Sequence, residues 1–573
     1  MNAKLEPADR LVDAILADLQ PHLSATQKQQ ARIFVTEFFH RVAADDVAVR
    51  ASATWAALLR GLFEFIGVRK SGAPSVRVFN PSIEHDGWES NHTIVQIVTA
   101  DMPFLVDSVG IAAQQAKALL HSLIHPVYFI ARDAGGHLLS LAADSAGKGA
   151  AESVMHVEID KITEPAELEK LHAAVETALH DVALSVQDWP AMRQKMRDIA
   201  DDLGKWRLPL DAEGVAEAQE FLRWAAEDHF TFLGYREYHV VGKGDDEVLE
   251  AAPKSGLGIL HKADRAVAPR SLKGLVAHEL RESGKADAII MTKTNARSTV
   301  HRSGHMDYIG VLEFDAQGKP QVEHRFLGLF ASGAYSRRPW DIPLVRRKYE
   351  AVMGRSGLKR DSHSGKTLRN ILETLPRDEL FQSGTEELFD TAMGIMGLQG
   401  RARSRLFVRR DKYGRFFSCL VFIPRDRFNT DVRERIEALL KRALHGERLD
   451  STIQIGESTL ARVHMVIRPK PGDKPSYDVA ELETKIGQIV RNWHDELREI
   501  LVRKHGEDKG SRLASRYGKA LPTGYIEEVT ANIAANDVDA AAALKNADDI
   551  RMSLYRARGQ NDKLRFKLFR YGT

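Results

Sequence analysis

Ser364-Gly365-Lys366-Thr367 ends like a phosphate-binding loop, whose backbone amides wrap a phosphate only if a glycine stands five residues before Gly365. Position 360 is arginine, so the loop is incomplete. Gly256-Leu257-Gly258 begins like a dinucleotide fingerprint, but His261 stands where the third glycine belongs and no strand-to-helix turn surrounds it. His278-Glu279-Leu280-Arg281-Glu282 starts as a zinc-protease helix does and lacks its second histidine. His301 and His305 are four apart, a metal-pair spacing, among Ser, Gly, Arg and Asp residues that read as a turn. Cys419 is the only cysteine. Inside an apolar run it reads as a buried structural thiol, and alone it excludes internal disulfides and multi-cysteine metal centres. These patterns assign no catalytic, cofactor-binding or metal-binding residue.

Two stretches keep a chemical interest. Thr99-Ala100-Asp101-Met102-Pro103-Phe104-Leu105-Val106-Asp107 joins a β-branched run to an apolar helical stripe. Asp101 is placed to cap free amides there, Pro103 suits a first helical turn, and such a helix end favours an anion. Asp101, Pro103, Phe104 and Asp107 belong to this candidate anion turn, and the alternative is an ordinary capped strand-to-helix turn. Thr294-Asn295-Ala296-Arg297-Ser298-Thr299-Val300-His301-Arg302 is polar among strands and reads as a hydrogen-bonded loop at a domain contact.

The elements that must position these residues follow from periodicity. Leu11, Ile15 and Leu19 open a helical N-terminal segment. Strands at 76–80 and 92–100 precede a helix striped by Leu105, Val109, Ala112, Ala116, Leu119 and Leu123. A hairpin at 126–131 and 137–141, a strand through Met155, Val157 and Ile159, and a helix through Leu171, Val175 and Leu179 complete a split β-α-β plan. The order returns later. Strands at 405–409 and 416–423 lead to a helix capped at Asn429 or Thr430, then strands at 451–455 and 460–468. One long helix striped by Leu482, Ile486, Ile489, Trp493, Leu497 and Ile500 closes it. Between the copies, 230–334 is strand-rich and 342–399 helical. Residues 564–571 alternate as a strand with no partner in view.

With 573 residues, 43% hydrophobic and 28% charged, the chain is long enough for about four domains and too apolar for wholesale disorder. No run approaches the ~18–20 apolar residues of a membrane helix, and the first residues lack a signal core, so no membrane partner and a cytoplasmic location are expected. A net charge of +2 gives no global pull toward nucleic acid. Locally, 335–370 has ten Lys/Arg against three acids, 401–428 nine against two, and 201–229 eight acids against three bases. These read as complementary faces packed on each other rather than as a nucleic-acid surface.

Asp101-Met102-Pro103-Phe104-Leu105 resembles the aspartate–x–proline–glycine–leucine turn of ACT regulatory domains, βαββαβ modules that bind amino acids beside it. That resemblance makes Asp101, Pro103, Phe104 and Asp107 the candidate effector turn, with Asp101 or Asp107 as acceptor for a ligand ammonium. Phe104, however, stands where the ACT turn has glycine and closes room for a ligand. Nearly the whole chain resembles the N-terminal region of the large bacterial NAD-specific glutamate dehydrogenases. The resemblance runs through 100–110, 125–133, 230–238 and 292–311. It is densest from His324-Arg325-Phe326-Leu327-Gly328-Leu329-Phe330 through Ser336-Arg337-Arg338 to Ile342-Pro343-Leu344-Val345-Arg346-Arg347-Lys348, and continues at 405–423 and 462–468.

That resemblance implies a multidomain α+β chain: two ferredoxin-like (ACT-like) βαββαβ-type sandwiches, a β-rich PAS-like domain and helical connecting segments. The implied layout is a helical segment at 1–75, ACT-like domain 1 at 76–190, a helical linker at 191–221 and the PAS-like domain at 222–334. A helical basic segment at 335–401, ACT-like domain 2 at 402–503 and a linker with short helices at 504–562 follow. Residues 563–573 are then the first strand of a truncated third ACT-like domain. The implied parent reaction converts L-glutamate, NAD and water to 2-oxoglutarate, ammonium and NADH. Its catalytic core and NAD site lie beyond residue 573, so the fragment is expected to be inactive and to hold no cofactor. Implied partners are further copies of the chain through the ACT-like domains, that missing core, and an amino-acid effector. An autonomous ACT/PAS-type sensor or scaffold, and a nucleic-acid-binding module using 337–369 and 401–427, are the alternatives.

Overall fold

The computed structural model describes residues 7–19, 23, 25–145, 149–242, 247–261, 270–271, 288–398, 401, 403–456, 458–470, 472–490, 493–546, 548–556 and 564–571. They form two compact units, 1–351 with 377–382 and 352–376 with 383–573.

In the first unit, apolar residues at helical spacing build α1 (Pro7–Leu19), α2 (Ala25–Phe39) and α3 (Ser52–Ile66). Ile15, Phe34, Phe38, Trp55 and Leu59 bury their side chains together and against Ile94, Val98, Tyr128 and Val154 of a sheet. That sheet consists of β1 (Ser75–Phe79), β2 (His92–Ala100), β3 (Leu120–Ile124), β4 (Val127–Arg132), β5 (Leu138–Ala142) and β6 (Ala150–Asp160). Its order is β1-β2-β6-β4-β5, and β3 extends the line of β4 along β6. Every pair is antiparallel. Two helices, α4 (Leu105–Gln115) and α5 (Pro165–Asp202), pack on each other and bury the stripes Leu105-Val109-Ala112 and Leu171-Val175-Leu179.

The helix expected from Leu105 to Leu123 ends early. α4 stops at Gln115, Lys117 turns to φ +59, and the next residues pair with β6 as β3. Leu119 is exposed, so the helical spacing of Leu119 and Leu123 is a coincidence that backbone pairing overrides.

β6 lies between β2 and the β3–β4 line, as the split plan requires. The place on the other side of β2, where a closing strand would add, is held by β1, which comes first in the chain. On the face toward α1–α3, β6 presents Glu152, His156 and Glu158. Arg69 and Arg132 donate to Glu152 at 2.9 and 2.7 Å, and Arg50 to Glu158 at 2.6 Å. Burial pushes both carboxyls up, but these hydrogen bonds, with His156 on Glu158, hold them below the usual carboxylate range. Burial also lowers the fully buried His156 imidazole. It is then neutral, donating Nε2–H to Glu158 (3.3 Å) and accepting from Gln96 at Nδ1 (3.0 Å).

α5 runs on past the first sheet, with Pro190 inside it, and its later half packs on a second sheet. After α6 (Ala212–Trp224) come β7 (Phe230–Val241), β8 (Val248–Ala251), β9 (Leu257–Gly258), β10 (Arg270–Ser271), β11 (Ile289–Arg297), β12 (His305–Phe314) and β13 (Pro320–Phe330). Their order is β10-β8-β7-β13-β12-β11, with β9 also on β7. α7 (Val345–Arg355) carries part of the basic stretch back onto the acidic one. Arg346 Nε donates to Glu217 at 2.7 Å and its Nη2 to Glu220, while Arg347 pairs with Asp211 at 3.3 Å.

The second unit contains α8 (His363–Thr374), whereas α9 (Arg377–Gln382) belongs to the first. There Lys293 bonds Asp307 (2.6 Å) and lies 3.3 Å from Asp378 of α9, which also accepts from Tyr335. Burial alone would lower Lys293, but the two carboxylates raise it. α10 (Thr385–Met396) leads to β14 (Arg405–Arg410), β15 (Phe417–Pro424), α11 (Thr430–Ala443), β16 (Gly446–Gln454), β17 (Leu460–Pro469) and α12 (Val479–Val490). Asn429 caps α11 by accepting from the Val432 amide at 2.9 Å. The sheet order β14-β15-β17-β16 repeats the first module, a leading hairpin strand again standing where a closing strand would. Cys419 lies fully buried in its core.

The expected single long helix is two. Leu482 and Ile486 of α12 enter the sheet core, while Leu497 and Leu501 of α13 (Trp493–His505) enter a separate core with α14 (Glu507–Tyr517) and α15 (Ala531–Ala542). The terminal strand is not alone either: β18 (Ile550–Arg556) pairs antiparallel with β19 (Leu564–Arg570). Among the described residues, no helix is long and apolar enough to cross a membrane.

Candidate functional site

Asp101 follows β2, and its amide continues the ladder by donating to Ala151 (2.9 Å). The carboxylate does not cap α4. It accepts from the Ser153 hydroxyl at 2.6 Å, and Ser153 lies 2.9 Å from His125 Nε2. Because Ser153 spends its one proton on Asp101, His125 must donate from Nε2. Burial lowers the His125 imidazole, which keeps that neutral tautomer. The cap position falls instead on Phe104, which has no side-chain acceptor to offer. The sequence expectation that Asp101 caps the helix is thus corrected.

Phe104 takes φ +74, ψ 0. This left-handed backbone is what glycine adopts without a Cβ clash, and it explains why the ACT turn favours glycine here. The ring packs on His301, centroids 4.8 Å apart, and His301 itself stands at φ +70. The His301 amide donates to Ser108 Oγ (3.3 Å), which donates to Phe104 O (2.7 Å). His301 Nδ1 is 3.6 Å from Asp107, and Thr299 bonds Asp181 of α5 at 2.7 Å. The two stretches singled out in the sequence, 193 positions apart at the Ser108–His301 bond, therefore meet. Pro103 lies in the turn with an exposed side chain. His125, Ser153, Ser108 and Asp181 were missed. Each is an ordinary strand or helix residue whose role depends on which side chain it faces, and spacing carries no such signal.

The other motifs fall away on geometry. Ser362 caps α8 by accepting from Gly365, and a Cβ at Gly365 would sit 2.1 Å from Lys359 O, so this glycine serves close backbone packing. Gly256-Leu257-Gly258 lies in a loop and short strand on β7. His278–Glu282 lies outside the described residues. Among the described residues no three His, Cys, Asp or Glu side chains are grouped to hold a metal.

Four family models match the chain: glutamate dehydrogenase ACT1 domain over 34–175, helical motif 1 over 342–401, ACT2 domain over 405–494 and helical motif 2 over 500–544. The NAD-specific glutamate dehydrogenase of Halomonas elongata is 34% identical over 560 residues, 97% of this chain. The chain belongs to the large NAD-specific glutamate dehydrogenase family. Within that family it carries the N-terminal, ACT-bearing region. The Pseudomonas aeruginosa glutamate dehydrogenase is likewise 34% identical over 97% of the chain, and the Mycobacterium tuberculosis one 26% identical over 78%. The alignments take in 35%, 34% and 27% of those proteins, so the chain spans about a third of the length of the first two glutamate dehydrogenases. The ACT1 match includes the whole first sheet, the ACT2 match the second module, and helical motif 2 falls on α13–α15.

Proposed function

We propose that these 573 residues form the regulatory and assembly part of a cytoplasmic NAD-specific glutamate dehydrogenase. The carrying observation is a match over 97% of this chain that occupies about a third of its relatives, joined to two modules of one ACT plan. The oxidation of L-glutamate to 2-oxoglutarate and ammonium, and NAD with it, is assigned to parts of the enzyme other than these residues. The sheet β7–β13 serves as the PAS-like domain. The hairpin β18–β19, antiparallel like β1–β2 and β14–β15, is the opening of a third ACT-like module, and copies of the chain associate through such sheets.

The turn at 101–107 acts in this reading as a joint between the first sheet and the β11–β12 loop. Phe104 fills the space a glycine would leave, and Ser153 occupies the Asp101 carboxylate. Two measurements test it. The purified chain, given glutamate and NAD, is expected to form no NADH; formation above an enzyme-free blank overturns the assignment of chemistry elsewhere. Calorimetric titration with aspartate, arginine and glutamate is expected to give no heat at this turn. Saturable binding lost in Asp101→Ala, with the melting temperature unchanged, would make the turn an amino-acid effector site instead.

A further inference from the structure

Arg236 is in the middle of β7 and only 5% exposed, yet its Nε and Nη1 are buried with no hydrogen-bond partner. Buried guanidinium groups are ordinarily paired, because desolvating the charge costs more than the fold returns unless an acceptor compensates. The cross-strand neighbour is no help: Arg236 stands directly opposite Arg325 of β13, so two like charges share one face of the sheet. The nearby carboxylate is already committed. Glu323 accepts from Arg325 through both oxygens, at 3.1 and 3.0 Å, and from the Tyr308 hydroxyl. Arg325 is further held over the Tyr238 ring, 3.9 Å from its centroid. Two guanidiniums and one carboxylate leave one positive charge without a counter-ion among the described residues.

The backbone beside the guanidinium carries no side chain at its closest approach. Between β8 and β9 the chain departs from the edge of β7 beside Arg236. At Gly256 a Cβ would come 3.0 Å from Arg236 Nη2, so any side chain there would press on the guanidinium fork.

We propose that Arg236 anchors a binding site for a small carboxylate anion on this face of the second sheet. A planar carboxylate matches the fork in two parallel N–H···O bonds, and its single charge equals the uncompensated one. Phosphate, with more than one negative charge at neutral pH, matches less well. The inference does not depend on the assignment of the parent reaction or on the turn at 101–107.

The test uses the whole 573-residue chain with acetate, succinate and inorganic phosphate against chloride at equal ionic strength. Calorimetry is expected to show saturable binding of a carboxylate, tighter than phosphate, and a melting temperature raised by about 2–4 °C at saturation. Arg236→Lys keeps the charge but loses the fork and should bind at least tenfold more weakly. Arg236→Met removes the uncompensated charge; without added anion it should melt no lower than wild type, and it should not respond to carboxylate. Phosphate binding tighter than carboxylate would overturn the ligand class. No carboxylate-specific response in wild type, or a marked loss of stability in Arg236→Met without anion, would overturn the site by showing that the protein itself satisfies Arg236.

Discussion

Phe104 and His301 hold left-handed backbones on the two sides of one contact, and each Cβ there costs about 1–2 kcal/mol. Phe104→Ala removes the ring and keeps the Cβ, whereas Phe104→Gly removes both. Glycine loosens the unfolded chain, which offsets part of its advantage. Phe104→Gly is therefore expected to be the more stable variant by about 0.5–1 kcal/mol in urea denaturation. Equal midpoints would mean that the left-handed turn is not the conformation in solution. His156 makes a separate, pH-dependent prediction. Its folded pKa is depressed by burial, so its contribution is present above the ordinary histidine value of about 6.5 and is lost as pH falls below it. Glu152 and Glu158, also depressed, add a further loss below about 4.5. Thermal melts from pH 7.5 to 5.5 should show falling stability in wild type and a flatter profile in His156→Gln. Parallel profiles would remove His156 as the cause.

The last hairpin carries its problem on one face. Met552, Leu554, Phe566 and Leu568 are each more than half exposed, and Met552 pairs with Leu568, Leu554 with Phe566. An apolar two-stranded face is marginal alone and seeks cover. Ending the chain at Leu544 should lower the light-scattering mass and raise solubility. Ending it near Arg503, which the sequence alone would recommend, should do the reverse, because Leu497 and Leu501 then lose the α15 residues Ala534 and Val538 that complete their core. If both truncations behave alike, the helical cluster is not a folding unit of its own. The stripe from Leu482 to Ile500 explains the error: helical spacing reports which face of a helix is apolar, not which core that face enters.

Across the molecule, the start of the first basic stretch and the acidic stretch are partners within one unit, with Arg346 and Arg347 on Asp211, Glu217 and Glu220. Arg405 and Arg427 of the second basic stretch pair instead with Glu483 and Asp495. The first unit also claims α9 through Lys293, Asp307 and Asp378. Lys293→Met should cost about 3–5 kcal/mol, since it strands the buried Asp307 carboxylate and takes a partner from the half-buried Asp378, and should speed limited proteolysis near 376–383. Unchanged cleavage and stability would show that the cluster does not hold α9. What the sequence determined by itself is whatever depends on near neighbours or on the whole string. The two split plans, the Asn429 cap, the buried Cys419 and the likeness to glutamate dehydrogenases are of this kind. Tertiary structure alone decided the rest. Leu120–Ile124 became strand because β6 offered a ladder. Asp101 turned from capping to Ser153, and Phe104 found His301 almost two hundred residues away. Arg236 was left without an acceptor because its register placed it opposite another arginine. Contacts between distant segments are chosen by packing and by which polar groups must be satisfied once buried, and neither is encoded in spacing along the chain.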